Sequence, residues 1–176
     1  MIETFIRTEG CYVGIFDLAS RAHKEDSFDK LMDRAKADAT NNNKAWATLF
    51  YLNGGIVSRM RRGEILAWTL FWDGYFKVRI RTEHSDGSDP ANCKPSAFLN
   101  REHYDLICPS GRIAVASLHH LGTPDLRPTV EVAPGSYRVD FVEDDEEVNK
   151  HYEFEGQIDY PARDGPDWVL TLSQVP

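Results

Sequence analysis

Apolar and polar positions alternate with a period of two along most of this chain, and turn signals interrupt the alternation at short intervals. Residues 2–8 and 11–18 are apolar-rich runs separated by Glu9-Gly10, which predicts an opening pair of strands. Residues 64–72 and 75–82 flank Asp73-Gly74. Asp-Gly between two β-prone runs is a hairpin signal, because both central residues of a type I′ turn need positive φ. A two-residue loop there sets Trp72 opposite Tyr75, Phe71 opposite Phe76, Thr69 opposite Val78 and Ala67 opposite Ile80. The last three pairs, with Ile65, would look into the core. The other face would carry Leu66, Trp68, Leu70 and Trp72 beside Tyr75, Lys77, Arg79 and Arg81.

Further strands are predicted at 104–108 and 112–118, around Pro109-Ser110-Gly111, and at 129–133 and 136–143, around Pro134-Gly135. A two-residue register in the second pair puts Val132 opposite Tyr137, Val130 opposite Val139 and Glu131 opposite Arg138 as a cross-strand ion pair. Residues 151–158 alternate strictly, Tyr152, Phe154 and Ile158 on one side and Glu153, Glu155 and Gln157 on the other, which predicts one strand. Residues 167–175 supply the last.

The period changes once. Phe28, Leu31, Met32, Ala35 and Ala39 recur at helical spacing behind Asp26 and Ser27, either of which can cap a helix that Asn41-Asn42-Asn43 ends. Residues 45–52 read as strand or helix, and 84–103, with Ser85-Asp86-Gly87-Ser88-Asp89-Pro90, as a long loop. About nine short strands with one helix predict a mainly β fold, an antiparallel β-sandwich with one peripheral α-helix, as a single domain over 1–176. Strand–helix alternation, the mark of a parallel α/β fold, is missing.

Composition adds little until it is split by position. The chain has 176 residues, 41% of them apolar, enough to bury a core without disulfides or a structural metal. Its net charge is −8. Residues 131–176 carry 12 acidic and 3 basic side chains, whereas residues 1–130 carry 16 and 17. The acidity belongs to the last quarter, and it argues against nucleic-acid binding, which needs a dominant basic surface. The N-terminal residues lack the basic and apolar regions of a signal peptide, and no apolar run is long enough to span a bilayer. Cys11, Cys93 and Cys108 are odd in number and lack CxxC spacing, which fits reduced thiols in a cytoplasmic protein.

Candidate chemistry is sparse. His119-His120 with His103 and Cys108 lack metal-ligand spacing, and adjacent histidines on a strand point to opposite faces, so no metal is expected. Ser110 sits in a turn without a nucleophile elbow, and the Cys108–His103 and Cys93–His84 pairs read as packing. No cofactor and no catalytic residue is expected. The Trp68, Trp72, Tyr75, Lys77, Arg79 and Arg81 face has two readings. Aromatics interleaved with basic groups can take a sugar or a nucleotide. Alternatively the helix over 28–39 covers this face, which is preferred because the helical stripe otherwise lacks a partner. The sharper feature is acidic. Glu143, Asp144, Asp145, Glu146 and Glu147 are consecutive, and Glu153 and Glu155 continue the charge. Such a surface, where it is more than a solvated turn, speeds encounter with a basic partner and penalises wrong ones.

The segment Val130-Glu131-Val132-Ala133-Pro134-Gly135-Ser136-Tyr137-Arg138-Val139 resembles the strand, Pro/Gly turn, Tyr, strand pattern of the competence J family of bacterial nuclease inhibitors. It is also similar to bacterial immunity-type β-sandwich proteins, as are Ile15-Phe16-Asp17-Leu18 and the strand from Tyr75 to Arg81. The resemblance implies a small cytoplasmic protein that protects its host by binding a toxin or nuclease. The expectation is a non-enzymatic inhibitor whose partner is a cognate basic protein toxin, contacted through Glu143–Glu147, Glu153 and Glu155.

Overall fold

In a computed structural model, residues 1–8, 12–25, 27–39, 42–51, 54–69, 74–82, 93–95, 105–123, 129–144, 153–154, 157–158 and 168–176 are described. The chain begins with strands β1 (Ile2–Thr8) and β2 (Tyr12–Asp17). Four helices follow, α1 (Arg21–Glu25), α2 (Phe28–Asp38), α3 (Asn42–Tyr51) and α4 (Ile56–Arg61). Strands β3 (Leu66–Thr69), β4 (Gly74–Thr82), β5 (Cys93–Pro95), β6 (Asp105–Cys108) and β7 (Arg112–Ser117) come next. After a 3-10 turn (Leu118–His120) come β8 (Thr129–Glu131), β9 (Gly135–Asp144), β10 (Glu153–Phe154), β11 (Gln157–Ile158) and β12 (Trp168–Val175).

The strands form a β-sandwich. One sheet runs β1-β4-β12-β9-β5, with β6 also on β9, and the other runs β3-β2-β7-β8. All pairings are antiparallel except β12 with β4, which is parallel. The rings of Trp68 on β3 and Phe141 on β9 meet across the layers with centroids 4.5 Å apart, and Trp168 on β12 packs edge-on to both.

The predicted pairs of consecutive strands do not form hairpins. β1 and β2 lie in different sheets, as do β3 and β4, β6 and β7, and β8 and β9. Each short connection therefore crosses between layers. Gly74, read as half of a hairpin turn, instead starts β4 opposite Thr8, whose hydroxyl accepts from its N–H at 3.0 Å. Val130 pairs with Ile113 rather than Val139, and Glu131 lies opposite Arg112, while Arg138 meets Asp105 at 3.4 Å. The single strand expected over 151–158 is broken into β10 and β11, which fold back on each other with Glu153 opposite Ile158.

The smaller sheet is buried on both faces. Gly14 on β2 lies level with Ala67 on β3 and Ala116 on β7, and Phe16 lies level with Ala114. Small side chains pave this face, and a Cβ on Gly14 would stand 2.6 Å from the Leu118 side chain. Phe16, on the same face, stacks on His23 of α1 at 5.1 Å. The opposite face, carrying Val13, Ile15, Leu66 and Trp68, turns to the larger sheet.

Ser27 caps α2 as expected, accepting from the Lys30 N–H at 3.3 Å, and Phe28, Leu31, Met32 and Ala35 are buried. The helix is not alone. It packs on α3 and on the 3-10 turn, where Phe28 meets His119 at 4.1 Å. Residues 45–52 resolve as helix over their described part, and Phe50 of α3 packs on Tyr12 at 4.5 Å. The loop expected at 84–103 lies outside the described residues apart from β5.

Candidate functional site

Strand β9 lies inside the larger sheet, between β12 and the β5 and β6 pair, and its C-terminal end delivers the start of the acidic run. Glu143 sits in register with Trp168 on one side and Lys94 on the other, and Asp144 with Cys93. Asp145, Glu146, Glu147 and Glu155 lie outside the described residues, and Glu153 is placed only by its register position at the start of β10.

The outer face of β4 alternates as the period-two pattern predicts: Phe76, Val78 and Ile80 are buried, and Lys77, Arg79 and Arg81 are half-buried. The composition of the rest of that face differs from expectation. Trp68 is 0% exposed and belongs to the other sheet, so it shares no face with the basic residues. Its cover is Phe141 and Trp168, not α2. Trp72 lies outside the described residues, and Tyr75 is placed opposite Arg7 by register alone. The missed partner is Glu3 on β1. Its Oε1 accepts from Arg79 Nε at 2.7 Å, and Oε2 lies 3.5 Å from Lys77 Nζ. The Arg79 hydrogen bond holds the Glu3 carboxyl below its usual pKa against the opposing effect of burial, with the charges of Arg79 and Lys77 adding to it. Arg81 Nε donates to Thr171 Oγ1 at 3.1 Å.

A third group gathers where two inter-sheet arches meet. Asp17, fully buried at the end of β2, accepts from Ala19 N–H at 2.6 Å. It also accepts from the Ser110 hydroxyl at 2.7 Å and the Ser110 N–H at 3.1 Å. Ser110 is thereby held as a turn residue, its Oγ accepting in turn from Arg112 N–H. Gly111 has φ +69°, and a Cβ there would lie 2.3 Å from the Val132 carbonyl oxygen, so only glycine lets the two arches touch. Tyr137 Oη donates to the Ala133 carbonyl at 2.7 Å and holds the bend at Pro134 and Gly135, which gives the Tyr of that segment a structural task.

Two groups beside this cluster are poor nucleophiles or bases. Burial, reinforced by the charge of Asp17, pushes the Cys108 thiol up to about 12, so the reactive thiolate is suppressed. Burial pushes His23 down, partly opposed by Asp17, and its Nδ1 accepts from Gly122 N–H at 3.2 Å. His119 and His120 occupy the 3-10 turn rather than a strand, and His119 Nδ1 lies 3.3 Å from Ser117 Oγ. Among the described residues, no three His, Cys, Asp or Glu side chains gather as a metal site. No described helix is long and apolar enough to cross a membrane.

The fold is that of a two-sheet β-sandwich with helices on the smaller sheet. It is similar to a solved structure described as crocagin biosynthetic gene J, with 21% identity, a TM-score of 0.56 and coverage of 99% of both chains. A second solved structure, ComJ from Bacillus subtilis, an inhibitor of the DNA-degrading activity of NucA, matches with 8% identity and a TM-score of 0.48, over 99% of this chain and 96% of that one. The first of these likenesses is one of fold and runs over the length of both chains. No family model matches the chain, and no curated protein is similar to it.

Proposed function

We propose that this chain is a non-enzymatic inhibitor or immunity protein of the bacterial cytoplasm, and that it neutralises a basic protein toxin, a nuclease above all. Glu143, Asp144, Asp145, Glu146, Glu147, Glu153 and Glu155 form the contact surface in this reading. The observation that supports it is the run of five consecutive acids in the sequence, the first two of which end β9. A strand inside the larger sheet feeds Glu143 and Asp144 directly into three more acids. Consecutive like charges repel and contribute nothing to turn geometry, whereas together they attract a surface built to hold phosphate. A nuclease cleft is such a surface. The local chemistry favours binding over turnover, since the Ser110 hydroxyl is engaged by Asp17 and the Cys108 thiol is buried.

The test is co-purification of the full chain from its native host, wild type against a variant with residues 143–147 reversed to lysine. The expected result is a basic protein retained only by the wild type, with nucleic-acid cleavage that the wild type suppresses. Association with that protein should slow by about 10- to 100-fold on reversal and fall with added salt. Equal binding by both forms would overturn the acidic surface, and cleavage by the chain itself would overturn the non-enzymatic assignment.

A further inference from the structure

Among the described strands, β1 pairs only with β4, which makes it an edge of the larger sheet. The other edges of the two sheets are β5, β6, β3 and β8, with three or four residues each, whereas β1 has seven. Long edges invite further pairing, and proteins blunt them with bulges, prolines or charge. This edge carries one charge of each sign, Glu3 and Arg7, and it and the Met1 before it hold three of the five exposed large hydrophobic side chains among the described residues: Met1 at 65% exposure, Ile2 at 37% and Phe5 at 51%.

We infer that β1 pairs antiparallel with β1 of a second copy of this chain, centred on Phe5, joining the two larger sheets into one. Symmetry narrows the register. A two-fold axis normal to the sheet keeps both buried faces on the same side, so one residue must face its own copy. With Phe5 facing Phe5, Glu3 of each chain lies opposite Arg7 of the other, on the outer face. On the inner face Ile2 lies opposite Thr8 and Thr4 opposite Ile6. Opposite charges thus meet on the outer face and β-branched side chains on the inner one, both pairings that favour strand association. Moving the centre to Thr4 puts Glu3 against Phe5, and moving it to Ile6 puts Phe5 against Arg7, so only the Phe5 register matches both charges. The Glu3 carboxylate already holds Arg79 and Lys77 of its own chain, and a second copy's Arg7 would extend that cluster across the axis. The edge of one copy is therefore complementary to itself, which selects a second copy over an unrelated strand.

Sedimentation velocity on the full chain, in a dilution series reaching millimolar, tests this. The wild type should reach twice its 20.0 kDa mass. Arg7→Glu and Glu3→Arg should each sediment as a monomer with a wild-type circular dichroism spectrum, and their equimolar mixture should recover the dimer, because charges then match at both ends. A second measurement avoids Glu3, which also binds within its own chain. In a Cys11→Ser/Cys93→Ser background, Phe5→Cys should crosslink to itself on oxidation, and Glu3→Cys, four residues out of line with its own copy, should not. A wild type that stays monomeric throughout overturns the inference. So does a dimer that Arg7→Glu leaves intact and that Phe5→Cys fails to crosslink.

Discussion

Asp17 and Ser110, 93 residues apart in sequence, are joined by two hydrogen bonds from one residue to one carboxylate, the hydroxyl to Oδ1 at 2.7 Å and the N–H to Oδ2 at 3.1 Å. They fasten the end of the smaller sheet to the turn through which the chain leaves the larger one. Asp17→Ala should cost about 2–4 kcal/mol of unfolding free energy, because it removes a buried charged acceptor and its three hydrogen bonds, and Ser110→Ala about 1–2, because it removes the hydroxyl bond and leaves the Ala19 and residue 110 N–H bonds to Asp17 in place. A double-mutant cycle by urea denaturation checks this, with a coupling of about 1–2 kcal/mol expected.

Trp68 and Phe141 carry the contact between the layers. Phe141→Ala should lower stability by about 3–5 kcal/mol and broaden the near-ultraviolet circular dichroism of the buried tryptophans. The same variant should leave Trp68 shielded from iodide quenching if the layers stay closed.

Cys108 should resist alkylation at pH 8 in the folded chain and react on denaturation, an outcome measured cleanly in a Cys11→Ser/Cys93→Ser background. The thiol is raised from 9.0 to about 12 on folding, so the folded state holds its proton more tightly. Its contribution to stability is therefore full below pH 9 and is lost as pH rises from 9 toward 12. Cys108→Ala should remove that alkaline slope.

His23 has the opposite sign. Burial lowers its pKa, so the unfolded state binds the proton more tightly, and stability falls as pH drops below 6.5. Thermal melts at pH 7.5 and 5.5 should show a smaller difference in His23→Gln, whose carbonyl can still accept from Gly122 N–H.

How much of this was legible in the sequence depended on range. Most strand positions, the buried set on β4 and the Ser27 cap follow from local signals, and the structure bears them out, while 151–158 breaks into two short strands and β5 falls where a loop is expected. Pairing does not follow, because Asp73-Gly74 reports a change of direction and says nothing about which layer the chain enters next. Leu66, Ala67 and Trp68 are all buried, since the helices cover one face of β3 and the larger sheet covers the other. With both faces dry, alternation stops identifying the inside, and Trp68 was assigned to the wrong face. Helix α4 was missed because six residues are too few for a stripe to stand out. The tie from Glu3 to Arg79 spans 76 residues, beyond any local signal.

β12 lies between β4 and β9, yet it is the last of the described strands to be synthesised. A nascent chain that has reached residue 167 has all the other strands of the larger sheet and still lacks one of its inner members. Until residues 168–175 emerge, β4 and β9 are two open edges facing a gap, so the larger sheet can only close after synthesis has passed this point. A premature stop there would release a chain with β4 and β9 unpaired and ready to aggregate.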